Sequence, residues 1–266
     1  MAAALGVQAA ERGKRTVVVE VARRRDVERV VTAAGADHLS VDPQAAMEEY
    51  LIDQLPAKAL ADVLAGSRAF NYFAAATPGM RELLTIGKVW DLAQDERRTH
   101  PGDPYDLVIL DAPATGHALA MLAAPRTFAE AARVGPINRQ GGLIHEMLSD
   151  PARTAVVGVT TPEEMPVNET LTLEARLRDE MGLDLALVVV NRVHRVGLTA
   201  GERRVLAGRD THPAIAAALA QDRLAQAGRA QLQRLRRRVG APTCTLSFVA
   251  GDVELDTLAR RLGRAV

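Results

Sequence analysis

Cysteine is nearly absent: Cys244 is the one thiol in a chain of 266 residues. A single cysteine excludes an internal disulfide and any CxxC metal or redox pair. The six histidines are scattered, and neither HExxH nor a comparable ligand spacing occurs, so no structural zinc is expected. No apolar run approaches the about 20 residues needed to span a bilayer, and the start of the chain lacks the succession of basic region, apolar region and cleavage site that marks a signal peptide. The expectation is a cytoplasmic protein. An excess of charge is missing too, with 33 basic against 33 acidic residues and a pI near 7.0. Nothing broad in the electrostatics draws the chain to nucleic acid or to an anionic membrane. Lysine is confined to Lys14, Lys58 and Lys88, and the abundance of Ala, Arg and Gly suggests GC-rich, bacterial coding. No internal repeat or low-complexity linker interrupts the chain.

What is present is the composition of a globular protein, 48% hydrophobic and 25% charged, and residues 1–266 suffice for one large domain. Met1 to Arg12 reads as a helix that Gly13 ends. Thr16 to Val21 follows as a β-branched run of the kind buried on both faces of a parallel sheet. Leu107 to Leu110, Ala155 to Val159 and Leu185 to Val190 are further short apolar runs, each followed at once by polar or turn residues. Helical patterns lie between them. The alternation predicts an α/β fold, a mostly parallel sheet flanked by helices, in which ligands bind beyond the carboxyl ends of the strands. Residues about 44–99 and 117–150 are long helical stretches between strands. They read either as an inserted helical lobe or as ordinary crossover helices.

The most specific stretch is Y-D-L-V-I-L-D-A-P-A-T-G-H, residues 105–117. Asp111, at the end of a buried strand, can accept hydrogen bonds from the water shell of Mg²⁺, and the small-residue loop with Gly116 can bring a backbone N–H to a phosphate. Asp111 can equally be a helix cap, an ordinary task for Asp after a strand. On spacing alone the two readings weigh the same.

The longer string resembles the switch region of the ArsA-type ATPases, the arsenite-efflux and tail-anchored-protein-targeting family, whose members carry D-x-A-P-T-G-H or a near variant after a buried strand. Asp111, Ala112, Pro113, Ala114, Thr115, Gly116 and His117 match it. R-G-K-R-T-V-V-V-E-V, T-T-P-E-E-M-P-V-N-E-T, V-V-V-N-R-V and T-L-S-F-V-A-G-D-V-E-L match further family segments in order, so the resemblance covers nearly the whole chain. It implies a P-loop NTPase-like fold of the deviant Walker A class, with ATP and Mg²⁺ as cofactors. It assigns Asp111 to Mg²⁺ through water and to catalysis, Pro113, Thr115 and Gly116 to the nucleotide, and Asn191 to the adenine edge, which a side-chain amide can both donate to and accept from. Asn191 may also be read as a turn residue.

The family resemblance further implies a strand and a G-K-G-G-V-G-K-[ST] loop ahead of the first helix. The sequence opens where that helix would begin, and Met1 stands where the family often has Val, as a GTG codon taken for a start would produce. The expectation is a shortened reading frame, with the first strand and the P-loop outside this chain, and a chain that is by itself neither a competent ATPase nor fully stable. A second departure lies after the first strand. Where robust hydrolysers resemble S-T-D-P, this chain has Glu20, Val21, Ala22 and Arg23, so Ala22 replaces the family carboxylate. Glu20, two residues earlier, can lie on the same side of the strand. Its more ordinary reading is a strand-end charge turned to solvent or paired with an Arg.

Glu163 and Glu164 suit the first turn of a helix, and Q-R-L-R-R-R-V-G suits the cationic end of a solvated one. His117 belongs to the switch string without a role of its own. The function implied is an ArsA-like ATPase whose nucleotide state rearranges two subunits, as a homodimer or with a related subunit, and thereby a surface for a protein client or membrane component. Arsenite handling is disfavoured by the lone cysteine, and tail-anchored-protein targeting by the missing CxxC pair. The alternatives are a non-catalytic interaction subunit beside an active paralogue and, more weakly, a partition or septum-positioning ATPase.

Overall fold

The computed structural model describes residues 1–21, 25–54, 77–97, 102–195, 197–208, 212–251 and 253–263. The chain falls into two compact units, Met1–Thr154 with Leu255–Arg260, and Ala155–Glu254 with Arg261–Val266. Among the described residues, no helix is long and apolar enough to cross a membrane.

In the first unit, helix α1 (Ala2–Glu11) ends at Gly13, whose φ of +77° is a left-handed conformation that costs glycine least. The β-branched run forms β1 (Thr16–Glu20), buried at all five positions. There follow α2 (Arg25–Ala33), β2 (Asp37–Ser40), α3 (Pro43–Gln54), α4 (Met80–Leu92), β3 (Leu107–Asp111), α5 (Thr115–Ala132) and α6 (Pro136–Ser149). The three strands are parallel in the order β2-β1-β3. Strand β2 is not announced by its sequence, because D-H-L-S offers one apolar residue and lies on the flank of the sheet, where a continuous apolar run is not required.

Alternate residues of β1 face different helices. Val17 and Val19 join Ile86, Val89 and Leu92 of α4, Met121 of α5 and Ile144, Met147 and Leu148 of α6 in one cluster. Val18 faces the other way, with Ala2 and Ala3 of α1 and Val31 of α2. The helices drawn from 44–99 and 117–150 therefore pack on one another and on the sheet; residues 55–76 of the first stretch lie outside those described. The hairpin of α5 and α6 is close because of Gly141, whose missing side chain would otherwise stand 2.6 Å from the Pro125 carbonyl oxygen. Between α3 and α4, Lys88 Nζ meets Glu49 Oε2 at 2.5 Å.

The second unit repeats the scheme with β4 (Val156–Thr160), α7 (Glu164–Arg176) continuing into a π-helical turn at Leu177–Met181, β5 (Leu185–Val193), α8 (Ala200–Ala207), α9 (Pro213–Arg238) and β6 (Thr243–Ser247). Its strands are parallel in the order β4-β5-β6. Val188, Val189 and Val190 of the central strand are fully buried, as are Val167, Leu177 and Leu235. Helix α9 ends on the exposed Arg236, Arg237 and Arg238, the cationic terminus that its sequence announces. A last helix, α10 (Leu255–Gly263), closes the described chain.

Candidate functional site

In the first unit the carboxyl ends of the three parallel strands are Glu20, Ser40 and Asp111. Val17 to Glu20 pair with Val108 to Asp111 in register, so Glu20 and Asp111 are Cα partners at the end of adjacent strands. Partners in a parallel pair share a face of the sheet.

Helix α1 covers that face. Gly6 lies against Val18 and Ile109, and a Cβ at Gly6 would collide with Val18 Cγ2. The connection from Glu11 to Thr16 is tight, so α1 runs antiparallel to β1. Stepping back four helical residues from Gly6 covers about 6 Å, as does moving two residues along a strand. The first turn of α1 is thereby brought over the end that carries Glu20 and Asp111. That turn has neither a side-chain cap nor an acidic residue.

A second helix begins at the same edge. After Asp111 the chain turns through Ala112, Pro113 and Ala114, and α5 starts at Thr115 with Ala114 as an N-cap that offers no side-chain bond. The His117 N–H closes onto the Ala114 carbonyl at 2.9 Å. Asp111 thus caps nothing: it is the half-buried last residue of β3, and the helix starts four residues later. Gly116 is exposed, and a Cβ there would meet nothing within 4 Å, so the helix itself does not demand glycine at 116. The edge gathers a carboxylate, which suits a hard cation held through water, and two uncapped helix starts, which suit phosphate oxygens. A divalent cation with phosphate fits this donor set.

Glu20 is not turned to solvent, and among the described residues its partner is not an Arg. Its Oε2 accepts from His38 Nε2 on β2 at 2.8 Å, and both side chains are only 3% exposed. The sequence hides this pair because His38 stands 18 residues away in a strand without an apolar pattern. Ala22 and Arg23 lie outside the described residues.

In the second unit Asn191 occupies a distortion near the end of β5. The register to β6 shifts between Val190 and Val193, and Arg192 adopts a φ of +58°. An L-residue in this region is uncommon and marks a locally imposed conformation. Asn191 Oδ1 accepts the Arg192 N–H at 2.9 Å, leaving the amide Nδ2 to donate elsewhere. Planar groups surround the bulge. The His194 ring stacks on Phe248 with centroids 4.4 Å apart, the Arg192 guanidinium lies 5.8 Å from the Phe248 ring, and Gln221 Nε2 is 2.6 Å from His194 Nδ1. Of these, the sequence pointed to Asn191 alone.

Across β4 from this strand, Glu163 is the N-cap of α7 and Glu164 lies in its first turn, the structural placement that suits acidic residues at a helix start. Among the described residues, no cluster of three or more His, Cys, Asp or Glu side chains could hold a metal ion by itself.

Parallel strands under helices, with a carboxylate and helix starts at one carboxyl edge, make an α/β protein of the class that binds ligands beyond its strand ends. The chain matches the family of anion-transporting ATPases over residues 36–137 and 132–196, and it belongs to that family. It is 27% identical over 209 residues to the ATPase BagA of Mycobacterium tuberculosis, covering 72% of this chain and 60% of that protein. A Mycobacterium bovis protein, "Putative ATPase Mb3704", matches to the same extent. The chain therefore spans 60% of the length of these mycobacterial relatives. A Halobacterium salinarum protein named "Putative arsenical pump-driving ATPase" is 30% identical over 97 residues, 34% of this chain and 15% of that one.

Proposed function

We propose that this chain belongs to an ArsA-like ATPase that binds Mg²⁺-ATP at the edge carrying Asp111 and couples the bound state to a second subunit and a protein or membrane client. The observation that supports it most is the folding of D-A-P-A-T-G-H into a strand-end carboxylate followed four residues later by an uncapped helix start. In this reading Asp111 orients the water shell of the cation, Pro113 shapes the turn that follows it, and the backbone N–H groups of Thr115 and Gly116 face phosphate oxygens. Mg²⁺, when bound, would neutralise charge on the phosphates. Asn191 donates from Nδ2 to the adenine edge. The subunit is a homodimer or pairs with a related chain. With Ala22 at the place of the family carboxylate, a second reading is a partner that binds nucleotide without robust turnover.

The test uses the protein expressed from its complete reading frame. Asp111→Asn preserves shape and a hydrogen-bond acceptor while removing the charge. Nucleotide affinity is expected to lose its Mg²⁺ dependence, while the melting of the unliganded protein changes by about 1 kcal/mol or less, as for a near-isosteric strand-end change. A variant with ordinary Mg²⁺-dependent binding would remove Asp111 from the site. Calorimetric titration with ATP, with and without Mg²⁺, reads both outcomes.

A further inference from the structure

The Glu20–His38 pair is the buried polar feature closest in register to Asp111 that the proposed function leaves unused. A carboxylate with 2% residue exposure is costly to desolvate, and an ion pair in such a place is a poor source of stability, because the loss of hydration offsets the attraction. Its position is nonetheless well determined. Glu20 ends β1 in register with Asp111, and neighbouring strands lie about 4.8 Å apart, so the two residues that bear these carboxylates are adjacent on one face of the sheet. Without a cation, two negative groups at that spacing repel. Among the described residues, His38 is the one side-chain partner of Glu20. It takes one of the two carboxylate oxygens. The chain leaving β1, V-A-R-R-R, offers no further carboxylate before Asp26.

We propose that Glu20 is a positioning residue of the cation edge, holding with its second oxygen the water that surrounds a divalent cation at Asp111, and that His38 fixes Glu20 in that place. The inference rests on the reading of Asp111 given above. His38 orients the carboxylate as an outer-shell partner orients a metal-binding group, and β1 and β2 supply the rigid frame.

The experiment measures the Mg²⁺ concentration that half-restores ATP binding to the protein expressed from its complete reading frame, using a fluorescent ATP analogue, beside binding in EDTA and melting without nucleotide. Glu20→Gln keeps the shape and the bond to the imidazole but removes the charge. It is expected to raise the half-restoring Mg²⁺ concentration about tenfold, the scale of removing one charge near a divalent cation in a partly solvated site, with affinity in EDTA unchanged. His38→Ala keeps the charge and frees the side chain, and is expected to give a smaller rise in the same direction, about threefold. Should Glu20→Gln not fold, His38→Ala carries the test. Variants that melt lower but keep the wild-type Mg²⁺ midpoint would reduce the pair to a clasp between β1 and β2 and overturn the proposal. A wild type whose nucleotide binding ignores Mg²⁺ overturns the reading of Asp111 and this one with it, whereas an unchanged midpoint in a Mg²⁺-dependent wild type overturns this one alone.

Discussion

Gly6 shows how one missing methyl places a site. The first turn of α1 reaches the carboxyl edge because the helix lies close enough to β1 for Gly6 to touch Val18, which is fully buried and cannot retreat. Gly6→Ala would gain about 1 kcal/mol of helix propensity, but the added Cβ must displace Val18, and overpacking of a filled core costs about 1–3 kcal/mol. The expected result is net destabilisation in denaturant unfolding, and Val18→Ala should cost less in the Gly6→Ala background than alone, a coupling that a double-mutant cycle reads directly. Asp222 gives a prediction in pH. Burial pushes its carboxyl up, but bonds from Arg203, Gln226 and the Leu198 N–H outweigh this and hold it below the usual carboxylate range. A depressed folded value means stability that is present above the unfolded value of about 3.9 and lost as pH falls through the folded one. Asp222→Asn should therefore melt below wild type at pH 7, with the gap closing in the acid range below about pH 4. Melting curves at several pH values test it, and a gap that persists undiminished at low pH would assign the effect to packing. Residues such as Asp222 and Glu20 are illegible in sequence for one reason: their partners lie 19 and 18 positions away, and no periodicity encodes that pairing.

Strands were legible where their sequence carries a continuous apolar run. The runs that became β1 and β5 are apolar because a central strand must be apolar on both faces; β3 and β4, at the flanks of the described sheets, carry apolar runs as well, and all four emerged within one to three residues of their expected ends. The flanking strands β2 and β6, D-H-L-S and T-C-T-L-S, carry too few apolar residues to stand out. The switch string was legible by resemblance, and its fold, strand end then helix start, follows the expected order. The bulge at Asn191 was not, since a positive φ at an arginine leaves no compositional mark. Helix α8 illustrates an element whose start is set by local rules, with Arg203 bonding Asp222 of α9. It buries no residue, yet carries a complete capping box: Thr199 Oγ1 accepts the Glu202 N–H at 3.2 Å, and Glu202 Oε2 accepts the Thr199 N–H at 2.7 Å. Thr199→Ala should remove about 1 kcal/mol of local helix stability, which speeds amide exchange across Ala200–Ala207 about fivefold. The global melting temperature should stay within error, because no core contact is lost. Exchange measured by mass spectrometry beside a thermal melt checks both halves, and a matching fall in global stability would show that α8 is integral to the core of its unit.

At the scale of the whole molecule, balanced charge sets what the chain can attract. With 33 basic and 33 acidic residues, no net field pulls in a polyanion, and long-range steering is absent. A local exception among the described residues is the end of α9, where Arg236, Arg237 and Arg238 are exposed in the last turn. Those guanidinium groups also oppose the negative end of the helix dipole and its open carbonyls, a task that accounts for their position without a ligand. If all three met phosphates, the slope of log affinity against log salt would be about −2.7, and affinity would fall about fortyfold between 50 and 200 mM salt. Binding that starts from so few contacts does not survive physiological salt. The expectation is that fluorescence polarisation of a labelled duplex DNA or single-stranded RNA shows no saturable binding at about 0.15 M salt, and that weak binding at low salt disappears when Arg236, Arg237 and Arg238 are replaced together by Gln. Saturable binding at physiological salt, or a salt slope of about −6 or steeper, would require a wider basic surface than the balanced composition and the described helix end provide, and would replace the ATPase reading with one centred on nucleic acid.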